Sequence, residues 1–527
     1  MAAWAEEQLE RMPLEQKVGQ LICSQLGGQR ELAERMIQEG RVGAITFYAK
    51  DMPDPRTTAA LANDLQRQSP TPLIIASDFE AGAGRLCGGA THLPSKMALG
   101  ATGSDEYTRQ HAEITAVEAR AIGVNMIYAP VVDVNVNPQN PIINIRSFGE
   151  DTKLVARLGA AWISGCQKSR ALAVAKHFPG HGDTSVDSHI TLPTVPHSLE
   201  RMNTVELEPF RAAITAGVKG VMSAHILFPA LEKLHSPATM SKEILTGLLR
   251  GRMGFDGLIV TDHMEMHAIT HSFEAGEAAV RAVEAGCDLV LVNDLERSFE
   301  ALLFSARDGR LSMEQINESV GRILAAKEWL KLDQERCVEV DGVEKHVGVS
   351  THREKAQTIA DNSVTLMKGL NGIKCFTLAR KLAVITTPSK RYTGESSSQK
   401  FCDYVCGRWP CSSFFEVSEE CTDAELRDAL ARSEDVDAAI FATFAKPTAY
   451  QSQSVEIGTK HVQLVNDVAE RVPTAVISFG SPYALANFSS AAVLISPFSS
   501  CDASLRAVVE GLSGKRPFVG TMPVTVK

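Results

Sequence analysis

Val174-Ala-Lys-His-Phe-Pro-Gly-His-Gly-Asp-Thr-Ser-Val-Asp-Ser-His189 is the stretch around which the chain is organised. Its first residues close an apolar run, 172–176, that reads as a strand. Glycines and a proline then force a loop rather than a helix. Lys176, His177, His181, Asp183, Asp187 and His189 fall within fourteen residues. So many ionisable groups with so few flexible spacers are unusual for a plain surface turn. The loop is therefore expected to carry catalysis, with the rest of the chain presenting a second carboxylate to it.

The same strand-then-loop unit recurs on both sides. Apolar runs at 18–23, 42–47, 73–77, 125–131, 172–176, 220–225, 257–261 and 288–292 read as strands. Between them, 29–39, 56–68, 105–121, 152–169, 202–216, 241–251, 272–285 and 295–307 read as helices. In 202–216, Val205, Leu207, Phe210 and Ile214 recur near helical spacing, and Gly217 ends the pattern. Strands alternating with helices make β-α units and a parallel sheet. Eight such units predict a TIM-type (β/α)8 barrel over residues 1–332. A doubly wound open sheet is the alternative, and it lacks its Gly-x-Gly-x-x-Gly fingerprint here. A charged stretch, 333–356, reads as a linker. Beyond it, strand-like runs at 363–366, 382–387, 438–443, 474–479 and 492–497 accompany helix-like stretches at 422–430, 459–471 and 503–512. These predict a smaller α/β sandwich domain over 357–527, in which the Ser-, Lys- and Cys-rich stretch 387–416 is assigned to no element.

Composition narrows the class. The 44% hydrophobic and 22% charged content fits an ordinary globular protein. A net charge of −10 without a basic stripe argues against nucleic acid as a partner. The N-terminus lacks a basic start followed by an apolar core, so no signal peptide is expected. No apolar run reaches the roughly 18 residues a membrane helix needs, so no membrane partner is expected. The eleven cysteines are scattered, and Cys402, Cys406 and Cys411 lack the second pair of a zinc pattern. Free thiols in a reducing cytoplasm are the expectation.

Polar residues gather where a barrel keeps its active site, at the carboxyl ends of the strands. They are Asp78-Phe-Glu-Ala-Gly-Ala-Gly-Arg85, Asp133, Asn144-Ile-Arg-Ser-Phe-Gly-Glu-Asp151, Ser223-Ala-His225 and Thr261-Asp-His-Met-Glu-Met266. His177, His181, His189, Asp183 and Asp187 are metal-ligand types. Their spacing matches no common zinc motif, and Lys176 would repel a cation, so a metal is not favoured. Glycoside chemistry needs a carboxylate nucleophile on one side of the anomeric carbon and a proton donor on the other. Asp262, ending an apolar strand, is the candidate nucleophile. Asp187 and His189, two apart on a short loop, suit a dyad in which the carboxylate orients an imidazole serving as acid and base. Lys176, Arg85, Arg146 and Asp78 have the donors and acceptors to hold sugar hydroxyls.

Lys176-His-Phe-Pro-Gly-His-Gly-Asp-Thr184 followed by Asp187-Ser-His189 resembles the signature of family 3 glycoside hydrolases, in their β-N-acetylglucosaminidase branch. Similar matches are Asp78-Phe-Glu with Gly82 and Arg85-Leu86, Ala129-Pro-Val-Val-Asp133, Arg146-Ser-Phe-Gly149 and Thr261-Asp262. Ser478-Phe-Gly-Ser-Pro-Tyr483 and Gly520-Thr-Met-Pro-Val524 resemble the second domain that many members carry. The resemblance implies Asp262 as the nucleophile of a retaining mechanism and His189 with Asp187 as the acid/base pair. It implies sugar contacts at Asp78, Arg85, Arg146, Lys176 and His177, and no metal or organic cofactor. The substrate would be a terminal β-linked N-acetylglucosamine on an oligosaccharide or glycopeptide, as in muropeptides or chitin fragments. The sequence departs from the branch's pattern twice. The first loop usually reads Asp-Gln-Glu-Gly-Gly-Arg, which leaves the alignment of Arg85 open, and His263 stands where a second aspartate is usual. A phosphorylase acting through the same residues, a β-glucosidase and a non-catalytic sugar-binding barrel remain as alternatives, and the oligomeric state is left open.

Overall fold

The eight apolar runs of the first 300 or so residues wind into a parallel barrel. Its strands are β1 Ile22–Gln25, β2 Ala44–Thr46, β3 Ile74–Ser77, β4 Met126–Ile127, β5 Leu172–Phe178, β6 Gly220–Ser223, β7 Leu258–Thr261 and β8 Val290–Leu291. The structure is a computed structural model that describes residues 3–527 except 187–191, 235, 267–268, 270–272, 390–394 and 449–454. Strands pair in chain order, and β1 also pairs with β8. A bridge between Val260 and Leu289 brings β7 to β8, so the barrel is nearly closed. Helices cover the outer face, which is why the strands are near-continuous apolar runs rather than alternating ones. Inside, Thr46 of β2 lies 2.9 Å from the hydroxyl of Tyr128 and 3.3 Å from the Cys23 thiol of β1, pairing polar groups that would be costly if buried alone.

Two of the elements that differ from their periodicity do so by breaking in two. The run 18–23 is divided: Leu14–Gln20 is helical and the strand starts at Ile22. The expected single helix at 202–216 is two, Leu199–Thr204 and Glu208–Thr215. Pro209 explains the break, since it has no N–H for the Val205 carbonyl and its ring would clash there. Hydrophobic spacing runs through both pieces because it reports the buried face, not backbone continuity.

The second sheet holds β9 Thr365–Lys368, β10 Leu382–Thr386, β11 Ser413–Glu416, β12 Ala438–Thr443, β13 Thr474–Ser478 and β14 Val493–Ser496, ordered β11-β10-β12-β13-β14-β9 with only β9 antiparallel. Successive residues of β10 and β12 face opposite sides. Leu382, Val384, Ala438 and Ile440 join one apolar layer, and Ala383, Ile385, Ala439 and Phe441 join the other. Helices pack on both layers, giving an α/β sandwich. The unassigned stretch 387–416 supplies helix Ser397–Arg408 and edge strand β11. The charged stretch after the barrel lies against its wall. Asn63 exchanges two hydrogen bonds of 2.8 Å with the backbone of Val338, and helix Ser350–Ser363 begins with His352 paired to buried Glu118 at 2.7 Å. All eleven cysteines are free thiols. Among the described residues, no helix is long and apolar enough to cross a membrane.

Candidate active site

The polar residues that end the strands meet at one rim. From the loop after β3, Asp78 and Glu80 both reach the Lys176 ammonium at the end of β5, at 2.6 and 2.8 Å. Arg146, from the loop after β4, pairs with Glu80 through two parallel bonds: Nε to Oε2 at 2.9 Å and Nη2 to Oε1 at 2.8 Å. Arg85 stands behind at 3.8 Å. Burial alone would push the Glu80 carboxyl up, but Arg146 and Lys176 hold it well below the usual carboxylate range. The Lys176 ammonium loses solvation as well, and Asp78 and Glu80 more than compensate, so it stays charged. Lys96 backs the cluster: its ammonium donates to the Glu80 carbonyl and lies 4.5 Å from the Trp162 ring.

Asp133 organises the loop after β5. One of its carboxylate oxygens accepts the His181 N–H at 2.7 Å, the other lies 2.7 Å from His177 Nδ1, and both lie 3.2 Å from the His177 N–H. Arg146 Nη2, which can only donate, lies 3.4 Å from His177 Nε2. These contacts assign the proton to Nδ1 and leave Nε2 as acceptor. Both ring nitrogens of His177 are thus engaged within the protein. His181 is sealed beneath, and burial, then His177, push its imidazole down to about 4.

Asp262 follows β7 and is partly exposed, as are Asp78 and Arg85. Its carboxylate accepts the His263 N–H at 2.7 Å, and its own N–H reaches the Ser223 carbonyl at 3.3 Å. His225 clasps the same loop, with Nδ1 2.8 Å from Thr239 and Nε2 3.1 Å from the His263 carbonyl. The His263 ring turns to Asn293 beside β8, at 3.0 Å. Tyr48, after β2, feels both sides of the rim: burial raises its phenol, and the charges of Asp78 and Asp262 raise it further. The open face is therefore lined by carboxylates and cations, while Glu80, Lys176, His177 and Asp133 form a buried floor.

Five of the expected residues, Asp78, Arg85, Arg146, Lys176 and His177, fall in one bonded cluster, and the Tyr48 phenol feels the charges of both Asp78 and Asp262. Asp187 and His189 lie outside the described residues. In the sequence, Glu80 and Asp133 read as strand-end acids without an assigned role. Their importance comes from partners 44 to 96 positions away, which no spacing rule signals. Among the described residues, no group of three or more His, Cys, Asp or Glu side chains is arranged to hold a metal ion.

Comparison with known proteins adds to this geometry. Residues 13–326 match the N-terminal domain of glycosyl hydrolase family 3. A β-N-acetylglucosaminidase/β-glucosidase of Cellulomonas fimi is 31% identical over 544 residues, 99% of this chain and 95% of that protein. The solved structure of a family 3 β-N-acetylglucosaminidase from Paenibacillus sp. str. FPU-7 superposes with a TM-score of 0.90 at 33% identity, covering 98% of this chain and 99% of that one. A solved β-glucoside phosphorylase superposes with a TM-score of 0.88 at 27% identity, covering 99% of this chain and 96% of that one.

Proposed function

This chain belongs to glycosyl hydrolase family 3, and we propose that this glycoside hydrolase removes terminal β-linked N-acetylglucosamine from oligosaccharides or glycopeptides, with retention of configuration. The observation that carries the reading is the bonded cluster of Asp78, Glu80, Arg146 and Lys176 at the same barrel rim as Asp262. Asp78, Arg85, Arg146 and Lys176 hold the hydroxyls of the sugar, and His177 fixes Arg146 from behind. The Asp262 carboxylate attacks the anomeric carbon while His189, oriented by Asp187, protonates the departing oxygen. His189 then takes a proton from water, whose oxygen displaces Asp262; two inversions leave the β configuration. Muropeptides or chitin fragments are the substrates of this reading, and a cytoplasmic place in cell-wall recycling is consistent with eleven free thiols. We place the catalytic barrel at 1–332, a connecting segment at 333–356 and the sandwich domain at 357–527, supported by a last barrel helix ending at Trp329 and a second sheet starting at Thr365.

A panel of aryl β-glycosides, with and without phosphate, tests this. The wild type is expected to prefer the N-acetylglucosaminide, and Asp262→Ala to lose turnover by about 10⁴-fold or more, as nucleophile removals do. Preference for another glycoside would sink the substrate assignment, and undiminished turnover by Asp262→Ala would sink the nucleophile. Phosphate-dependent release of a sugar 1-phosphate would favour the second reading, phosphorolysis, which the similarity to a solved phosphorylase keeps in view.

A further inference from the structure

Loop 135–150, which carries Arg146, is held from two sides. Its barrel side is the Glu80 pair. Its other side is the sandwich domain. Asn135 Nδ2 donates to the Tyr483 hydroxyl at 2.8 Å, and its Oδ1 accepts the Asn144 N–H at 3.0 Å. Asn144 Nδ2 in turn donates to Ser481 Oγ at 3.1 Å. Asn135 and Asn144 are fully buried, and Asn144 sits at φ 43°, in the left-handed region that asparagine enters more readily than other non-glycine residues. Ile145, next to Arg146, packs in a small apolar cluster with Met97, Phe498, Tyr483 and Val524. Farther along, the Glu150 N–H donates to the Pro523 carbonyl at 3.1 Å, and the Glu150 carboxylate accepts the Thr525 N–H at 2.9 Å.

The sandwich side is itself rigid. Ser481 and Tyr483 leave one turn just after β13. The Ser481 N–H is bonded to the Ala445 carbonyl at 2.8 Å, and its carbonyl accepts the Ser478 hydroxyl at 2.6 Å. A Cβ on Gly480 would stand 1.7 Å from the Ala445 oxygen, so this turn docks at closest approach. Arg146 is therefore two residues from a side chain gripped by the second domain.

We propose that Tyr483 and Ser481 are positioning residues for sugar binding, acting through Asn135 and Asn144 to set the place of Arg146. The second domain then serves the barrel's site through this loop. The inference rests on Arg146 contacting the sugar, as in the proposed function, but not on which sugar it is.

The test uses the full chain and whichever aryl β-glycoside the wild type cleaves best. Substrate identity is thus decided by the wild-type panel, and the clamp by ratios among variants. Tyr483→Phe keeps the ring in its cluster and removes only the hydroxyl; Ser481→Ala is a second, independent cut. Each is expected to raise KM about fivefold, the size of one lost hydrogen bond, with kcat within about a factor of two. In an Arg146→Lys background, Tyr483→Phe is expected to add nothing further, because residues acting through one another are not additive. Unchanged KM in both single variants would overturn the proposal. So would an effect of Tyr483→Phe that multiplies in full with Arg146→Lys, which is what a merely structural contact would produce.

Discussion

Glu80 is 5% exposed and faces three cations, Lys176, Arg146 and Arg85. Breaking a buried pair by neutralising one partner leaves charge without compensation. Glu80→Gln is therefore expected to lower stability by roughly 3–5 kcal/mol and to weaken substrate binding together, read as a denaturation midpoint and a KM. Unchanged values for both would mean the floor carries no such charge coupling. Asp262 and Lys176 were legible from the chain because each ends an apolar run at a barrel rim. Glu80 and Asp133 stand in comparable places, yet an acid's role depends on what it meets. Their partners arrive from other strands, and only folding brings them within bonding distance.

At the scale of the element, the β5 loop is shaped by close backbone approach. A Cβ on Gly182 would lie 1.8 Å from the Val134 carbonyl oxygen, and neither backbone can yield cheaply. Gly182→Ala is expected to displace the loop that leads to Asp187 and His189 and to lower kcat about 10²-fold, the scale of a 1 Å misplacement. An unaltered kcat, with a circular dichroism spectrum like the wild type's, would show the loop tolerates the shift. The barrel strands were readable because helices cover them and make them uniformly apolar. The helix break at Pro209 was not read from periodicity, since Val205, Phe210 and Ile214 keep their buried face across it. In the second sheet, β11 escaped notice because it is an edge strand, part exposed at Ser413, Phe414 and Phe415, without the unbroken apolar run of its neighbours.

For the whole molecule, buried ionisable groups set the pH profile. Burial lowers the ammonium groups of Lys96, partly offset by Glu80, and of Lys327 to about 7. Between there and the ordinary lysine value, the unfolded chain binds protons that the folded state has released, so stability rises with pH. Buried thiols act oppositely: burial raises Cys23 to about 11 and Cys87 to about 12, so above the ordinary thiol value of about 8.5 the folded state keeps protons that the unfolded chain loses. A denaturation midpoint that falls above about pH 8.5, where raised thiols outnumber lowered ammonium groups, after climbing from about pH 7 to 8.5 is expected, and Lys327→Met is expected to flatten the climb from about pH 7 to 8.5. A midpoint that falls across that window would refute the assignment. On the acid side, the depressed Glu80 carboxyl contributes stability that is present above the ordinary carboxylate range and lost as pH falls through its lowered value.

Local chemistry was sufficient for the barrel, the sandwich and the gathering of polar groups at one rim, because each rests on patterns within a few positions: apolar runs, helical spacing, and polar groups at strand ends. Pairing across the barrel was decided only in three dimensions. Tertiary contact made Glu80 the centre of the cluster, aimed His177 between Asp133 and Arg146, and set Tyr483 and Ser481 against the loop of Arg146. The physical reason is that a charge or hydrogen bond acts over a few ångströms of space, whatever the distance along the chain; Asn144 and Ser481 touch across 337 positions.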